Sequence, residues 1–456
     1  MMLKKLLRRK FIKKVKRRVP WIGHLLDDAK VAGDLNPEYE GIELQARQGS
    51  PCLVCRGARQ LCGKPRCPLI IKFHSFAGVR RLVDTEHMFG SSPPGIFVGR
   101  IGYPYVYAGP LTPPIVGDTS IMDAPEQWIG KTVDEIVDFR TKLIRGKFRV
   151  NVKKPDMAER FMQKTLELAL SQTYVDAEIT FKKKPSGRIL LDHDLQPMGP
   201  SAVMRDIKIG NVKTDSRIEK AYDDQDLKSE EALLNLHANG VPVSKIQRAF
   251  SIGAFGLKKN RRIVPTRWSI TAVDSTISRR LIEDEVKDTN PVDQYSVHEF
   301  SYLGNRFVVL MLPMHWCYEW IEGWYPGTAW NPAQRSIAMG GDWEGYKGRT
   351  TYASIGGCYY AVRLATAEFL ASQRRQAGVI ALREIHPGFI TPLGVWINRE
   401  CVREALKRES KEFNNLKEAL DYVDSRFTIR IEEWIDNSHL LKDTLYQERL
   451  TKYLST

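Results

Sequence analysis

Four cysteines crowded into sixteen residues constrain this chain more tightly than any other feature it has. Cys52, Cys55, Cys62 and Cys67 lie in PCLVCRGARQLCGKPRC, spaced C-x2-C, then six residues, then C-x4-C. A C-x2-C knuckle wraps two thiolates around one ion, and a second short-spaced pair closes a tetrahedron. Gly57 and Gly63 relax the backbone beside the pairs, while Arg56, Arg59, Lys64 and Arg66 would offset the charge of four thiolates. A structural Zn2+ on a four-cysteine loop spanning 48–70 is the expectation. An iron–sulfur cluster also takes four thiolates, and two disulfides or unconnected core cysteines are the plainer alternatives. No export signal is apparent and Cys317, Cys358 and Cys401 are isolated, which disfavours disulfides. A closed four-thiolate site has no open coordination position, so its expected use is architecture or nucleic-acid contact.

Charge is as unevenly placed as cysteine. The 69 Lys and Arg exceed the 54 Asp and Glu by 15, but ten of the cations sit in residues 1–18 with no acid among them. The rest of the chain is close to balanced. Leu3, Leu7, Phe11 and Val15 recur at i+4, so a helix here would carry one apolar stripe and a basic remainder. The arm (1–20) lacks the unbroken apolar stretch of about 7–15 residues that a secretory signal needs. Docking on a membrane surface, a solvated tail and phosphate contacts through Lys4, Lys5, Arg8, Arg9, Lys10, Lys13 and Lys14 are the readings that remain. Phosphate binding gains from counterion release whatever the nucleic-acid sequence.

With 456 residues and 43% hydrophobic content, the chain has room for two or three domains, each with its own core. The longest uncharged run, Ile101–Gly117, holds four prolines and three glycines, so nothing spans a bilayer as a helix. Residues 68–120 read as short strands and turns. Helical periodicity appears at Thr132–Ile144, Asp156–Ser171 and Glu230–His237, with Gly240 a terminator. Glu178–Phe181 and Arg188–Leu191 suggest a strand pair around Pro185-Ser186-Gly187. Residues 306–320 begin as a buried strand and end in an aromatic cluster. Tyr359–Gln376 and Arg399–Val423 read as long helices flanking a strand, Val379–Ile385. The Gly-, Trp- and Pro-rich stretch near 325–345 is the expected boundary. The class is α+β, with a larger mixed N-terminal domain and a smaller, helix-rich C-terminal one.

Enzyme signatures are mostly missing. There is no G-x-G and no G-x4-G-K-[ST], and His298-Glu299 fails as a zinc-protease start because position 302 is tyrosine. The candidates left are polar clusters beside aromatic residues: His315 and Glu319, Asp342 and Glu344 in a glycine-rich loop, and Glu384 with Arg383 and His386. Thr266–Ser269 and Asp274-Ser275 form one more. Converging in a cleft lined by Trp316, Trp324 and Trp343, these carboxylates would make a nucleic-acid-modifying enzyme. Buried ion pairs and capped loops produce the same residue patterns without any chemistry.

The C-terminus carries a sharper pattern. Gln447-x-x-Leu450-x-x-Tyr453-Leu454 matches the peptide (447–454) by which clients bind sliding clamps. One helical turn brings Leu450, Tyr453 and Leu454 to one side as an apolar plug, preceded by a glutamine that can bond backbone in a side pocket. The last turn of an amphipathic helix would look similar, since Leu440, Leu441 and Leu445 precede it.

Taken together, the cysteine cluster, VPTRWSITAVD (264–274), HWCYEWIEGW (315–324), YASIGGCYYAVRLATAEFL (352–370), HPGFITPLGVWINRE (386–400) and QERLTKYL (447–454) resemble the archaeal Nre DNA repair family. The resemblance covers nearly all of the chain after the arm. It implies an N-terminal homology region over 71–325 and a C-terminal one over 345–440. It also implies a role in DNA damage repair, with DNA and the archaeal ring clamp (the PCNA homologue) as partners. Clamp binding would map onto Gln447, Leu450, Tyr453 and Leu454, and the protein would be cytoplasmic and nucleoid-associated. One departure is Tyr453-Leu454, where the commonest peptide has two aromatic residues. A basic RNA-binding or ribosome-associated protein is the remaining alternative, and it leaves the terminal plug unexplained.

Overall fold

The computed structural model describes residues 43–46, 55, 59, 61–62, 64–191, 196–331 and 335–446. The chain divides into two compact units, Met1–Val273 with Ile390–Gly394, and Asp274–Phe389 with Val395–Thr456. Each has a six-stranded mixed sheet, and helices and strands mix irregularly in an α+β fold. No helix among the described residues is long and apolar enough to cross a membrane.

The first unit begins with β1 (Glu43–Ala46) and helix α1 (Pro68–Leu82), followed by strands β2 (His87–Ser92), β3 (Ile96–Val98) and β4 (Tyr105–Thr112). After α2 (Val133–Lys142) come β5 (Ile144–Asn151), α3 (Arg160–Leu170), β6 (Val175–Phe181), β7 (Arg188–Leu191) and β8 (Ser201–Ile209). The sheet order is β2-β6-β8-β5-β4-β3. Period-2 alternation sets its faces. Ile144, Gly146, Phe148 and Val150 of β5 point inward, while Arg145, Lys147 and Arg149 point out. Helix α3 covers the inner side, burying Met162, Leu166, Leu168 and Ala169 and stacking Phe161 on Phe148. Thr132 starts α2 with a capping box: its hydroxyl accepts from the Glu135 N–H, and the Glu135 carboxylate accepts from the Thr132 N–H at 2.8 Å. Helices α4 (Ser216–Asp223), α5 (Ser229–Ala238) and α6 (Val243–Ser251) follow, and Gly240 ends α5 with φ +71°.

One strand pairing differs from the expected hairpin. Arg188–Leu191 does not return along Val175–Phe181; it pairs in parallel with Glu43–Ala46. Strand β6 is already occupied on both edges, by β2 and β8, so no edge remains for β7.

Helix α7 (Thr266–Leu281) contains the division between the units. The second unit then lays down β9 (Tyr295–Tyr302), β10 (Asn305–Leu312), β11 (Cys317–Trp324), β12 (Ala338–Glu344), α8 (Gly357–Gln373), β13 (Gly378–Ile385), α9 (Trp396–Lys407) and β14 (Lys411–Phe413). Helices α10 (Leu416–Arg426), α11 (Ile431–Asn437) and α12 (His439–Tyr446) complete it. Its sheet order is β12-β11-β13-β10-β9-β14. Strands β11 and β13 are buried on nearly every residue, as near-continuous apolar runs covered on both faces should be. Helices α8 and α9 lie over one face. On the other, Val308, Leu310, Ile321, Ile380 and Leu382 meet Leu420, Val423, Trp434 and Leu441 of α10, α11 and α12.

The compact units part inside α7, while β11 and β13, on either side of 325–345, pair residue for residue in one sheet. The helix expected over Arg399–Val423 is also two helices. Asn415 caps α10, its side chain accepting from the Glu418 N–H at 3.0 Å, and Lys411–Phe413 pairs with β9 instead.

His298, on β9, is buried with its ring edge-on to Phe369 at 5.3 Å between centroids. Burial pushes its imidazolium down to about 4, against backbone contacts at Arg408 and Ala405 that favour the proton. An unfolded chain binds that proton from about pH 6.5 downward and the folded one does not, so the contribution of His298 is complete above pH 6.5 and is lost as the pH falls toward 4. The wild-type thermal midpoint should accordingly fall further than that of His298→Gln between pH 7 and pH 4.5. Parallel pH profiles for the two proteins would refute the assignment.

Candidate functional site

The strand β11 sorts the candidate carboxylates before any chemistry can begin. Successive residues of a strand face opposite sides of the sheet. Glu319 shares a face with Cys317 and Ile321 and meets α12. Its carboxylate accepts from the Ser438 hydroxyl, from the His439 N–H at 2.7 Å and from the Leu440 N–H at 3.1 Å. It is the buried anionic cap of that helix. Burial pushes its carboxyl above the usual range, against the pull of those donors. Glu384, on β13, points to the same face and ends in the same kind of bond, accepting from the Thr428 N–H at 2.7 Å and the Ile429 N–H at 2.6 Å, with His386 at 2.9 Å.

Asp342 and Glu344 lie on the opposite face. The segment expected as a glycine-rich loop is strand β12, in register with β11, so Asp342 stands opposite Trp320 and Glu344 opposite Tyr318. Its glycines serve close packing: a Cβ at Gly340 would lie 2.8 Å from the Trp324 ring, and one at Gly341 2.7 Å from the Trp320 carbonyl oxygen. Burial raises the Asp342 carboxyl, but Arg349 at 2.9 Å and the N–H groups of Ser354 and Trp343 outweigh it and hold the group down at about 2. Glu344 receives the buried Arg363 guanidinium at 2.7 Å.

The expected cleft is thus not assembled. Its carboxylates divide between the two faces of one sheet, and each is consumed by an ion pair or a helix cap. The aromatic residues divide with them. Trp316 is buried, Trp324 donates its indole N–H to Glu322 at 2.8 Å, and Trp343 stacks on His439 at 3.7 Å. His315 is exposed beside Tyr346. In the polar clusters farther upstream, Thr266 accepts the Val98 N–H at 2.8 Å and Ser269 donates to the Gln247 carbonyl. Asp274 takes Arg399 at 3.0 Å.

What sequence reasoning missed is where the arginines go and which carboxylates they pair with. On the face under α8 and α9, Arg383 reaches Glu322 at 2.9 Å and Asn305 at 2.7 Å, inside a cage of Phe307, Trp330 and Phe389 rings. Arg399 joins Asp274 and Glu400, and Arg403 links Glu400 to Glu368 at 2.7 Å. The signal was present: an arginine in the middle of VIALREI or YYAVRLATA cannot stay charged in a core without an anion beside it.

Three of the four clustered cysteines are described. Cys55 is buried and its sulfur accepts the Leu61 N–H at 3.4 Å. Cys67 precedes Pro68 at the start of α1. Burial pushes its thiol up, while the N–H groups of Ile70 and Leu69 act in the opposite sense and Cys62 and Cys55 lie near enough to add to the rise. Two of the basic residues expected to offset the cluster are engaged elsewhere: Lys64 donates to the Ile390 carbonyl at 2.6 Å and Arg66 grips Asp134 with two bonds. Cys52 lies outside the described residues, and among those described no group of three or more His, Cys, Asp or Glu could hold a metal ion. The arm cations Lys4, Lys5, Arg8, Arg9, Lys10, Lys13 and Lys14, and the terminal Gln447, Leu450, Tyr453 and Leu454, also lie outside them.

Comparison with known proteins supplies what geometry alone does not. Residues 61–331 match the family model described as archaeal Nre, N-terminal, and residues 344–453 that described as archaeal Nre, C-terminal. The chain is 43% identical over 392 residues to DNA repair protein NreB of Archaeoglobus fulgidus, covering 86% of this chain and 97% of the relative. It is 36% identical over 386 residues to DNA repair protein NreA of the same organism, covering 84% and 95%. To DNA repair protein NreA of Haloferax volcanii it is 34% identical over 355 residues, covering 74% and 82%. No solved structure matches the chain significantly. With both family regions present and relatives aligned over most of their length, the chain belongs to the archaeal Nre family.

Proposed function

We propose that this chain is a DNA repair factor held at the replication sliding clamp by its C-terminal peptide, acting in the cytoplasm at the nucleoid. The repair reading is supported by three relatives that carry that name. The tethering reading is carried by one observation, the sequence Gln447-x-x-Leu450-x-x-Tyr453-Leu454 directly after α12. That helix surfaces as it ends, with Leu445 and Tyr446 exposed, so the peptide follows a stretch already outside the core. A tether of this kind raises the local concentration of client at the ring to about the millimolar range without needing tight binding. The basic arm adds phosphate contacts that do not depend on DNA sequence.

The engagement of Glu319, Asp342, Glu344 and Glu384 in caps and ion pairs favours this tethered-binder reading over a reaction run by those carboxylates. Capture by the ring clamp should drop by about 30-fold or more in Gln447→Ala/Tyr453→Ala, the loss expected when an aromatic anchor is removed, with the thermal midpoint unchanged. Undiminished capture by the double variant would end the proposal.

The four-cysteine loop fits the same reading as a structural Zn2+ site formed by Cys52, Cys55, Cys62 and Cys67, with an iron–sulfur cluster as the alternative occupant. The nearness of Cys55 and Cys62 to Cys67, and the Leu61 N–H bond to the Cys55 sulfur, support one shared site there. Elemental analysis of purified protein should find about one zinc per chain, lost in Cys55→Ser. Metal-free protein with four titratable thiols would exclude the site, and iron in place of zinc would select the cluster.

A further inference from the structure

The outward face of the first unit's sheet carries a feature that neither the clamp peptide nor the arm explains. From Ile144 to Pro155 the chain has five cations and no acid. On β5 and its extension the cations occupy alternate positions, Arg145, Lys147, Arg149 and Lys153, between the inward residues Phe148, Val150 and Val152. The neighbouring strand β4, with its approach, supplies tyrosines at the same period: Tyr103, Tyr105 and Tyr107, whose alternate, Val106, is fully buried.

The two series interlock across the strand pair. Lys147 lies 5.4 Å from the centre of the Tyr107 ring, Arg149 5.7 Å from that of Tyr105, and Lys153 5.7 Å from that of Tyr103. The exposed Trp268 stands beside Tyr103 at 5.5 Å. The three tyrosines are 44–52% exposed, so the rings are accessible and not filling a core. Among the described residues none of these cations has a carboxylate partner. On β8 and β6 of the same sheet, Lys208 and Glu178 neutralise each other at 3.4 Å, as residues of a merely solvated face do. Burial, with the neighbouring Arg145 second, pushes the Lys147 ammonium down.

We propose that this ladder of tyrosines and cations is a platform for single-stranded nucleic acid, the rings stacking on unpaired bases and the cations taking the phosphates between them. Charge complementarity selects a polyanion. The rings select one whose bases are free to stack, because the bases of a duplex are already stacked on each other and offer the rings nothing. A strand bearing aromatic residues and cations in alternation meets an unpaired strand along its length, without reading sequence. The inference deepens the repair reading by naming the form of nucleic acid, and it is independent of clamp capture.

The test is fluorescence anisotropy on the full chain with a labelled oligothymidylate and with a duplex of equal length. Tyr105→Ala/Tyr107→Ala should weaken the single strand by about 100-fold, roughly tenfold per stacked base, and leave the duplex nearly unchanged. Tyr105→Phe/Tyr107→Phe should retain single-strand affinity. Replacing Lys147 and Arg149 by Gln should flatten the salt dependence by about 0.7 for each phosphate no longer neutralised. Ultraviolet cross-linking of the unaltered chain to oligothymidylate should map to residues 103–107, which keeps the test decisive if the alanine variant fails to fold. Unchanged single-strand affinity would overturn the proposal and leave the face to a protein or to a second copy of this chain. Equal losses on single strand and duplex, or cross-links elsewhere, would overturn it too. Clamp capture should be unaffected by the tyrosine variants, so failure here and failure of tethering are separable.

Discussion

Guanidinium groups buried against one face of the second unit's sheet set the terms for everything built on it. Arg383 and Glu322 are direct partners across the parallel strands β13 and β11, so their 2.9 Å contact is also a register mark. A slip of β13 by one residue would turn Arg383 onto the apolar side, among Ile380, Ile321 and Trp434, and leave Glu322 without its partner. Arg363 with Glu344 and Arg399 with Asp274 tie α8 to β12 and α9 to the middle of α7 in the same way. Each pair is worth little net free energy because both ions had to be dehydrated, but losing one partner leaves a bare charge in the core. The cost of that loss makes the arrangement specific.

Once these pairs are fixed, the functional reading follows by subtraction. Carboxylates that might have activated water are instead caps and counterions, on opposite faces of one sheet. The second unit's last described helix, α12, comes to the surface just before residues 447–454, on which the proposed tether rests. The first unit differs in that its β5 cations face outward beside exposed rings, with no carboxylate partner among the described residues. Paired charges build the second unit, and the unpaired β5 cations on the first are those of the proposed platform.

Much of this was readable in the residues, and the failures have physical causes. Helix α2 and the end of α5 were legible because Thr132 with Glu135 and Gly240 are local signals, decided within one turn of chain. Strand partners were not, since pairing depends on which edges are free: Arg188–Leu191 has a strand sequence, but its neighbour was taken. The segment AMGGDWE looked like a loop because glycine usually marks one. Here the glycines make room for Trp324 and for the Trp320 backbone in a strand. The carboxylates of the candidate site could be located but not assigned, because spacing along a chain does not tell which face of a sheet a residue joins once loops of unknown length intervene. The tyrosines between Ile101 and Gly117 were seen only as part of an uncharged run of short strands and turns. Their meaning appeared when β5 brought Lys147 and Arg149 beside them.

The paired charges of the second unit hold its sheet in register. A double-mutant cycle on Arg383 and Glu322 addresses it most directly, with chemical-denaturation stability and survival of DNA damage in complemented cells read together. The account predicts that Arg383→Met and Glu322→Leu each cost about 3–5 kcal/mol, that the combined variant recovers most of that loss, and that survival returns with stability. Single variants that keep full stability while abolishing survival, with no rescue in the pair, would contradict it.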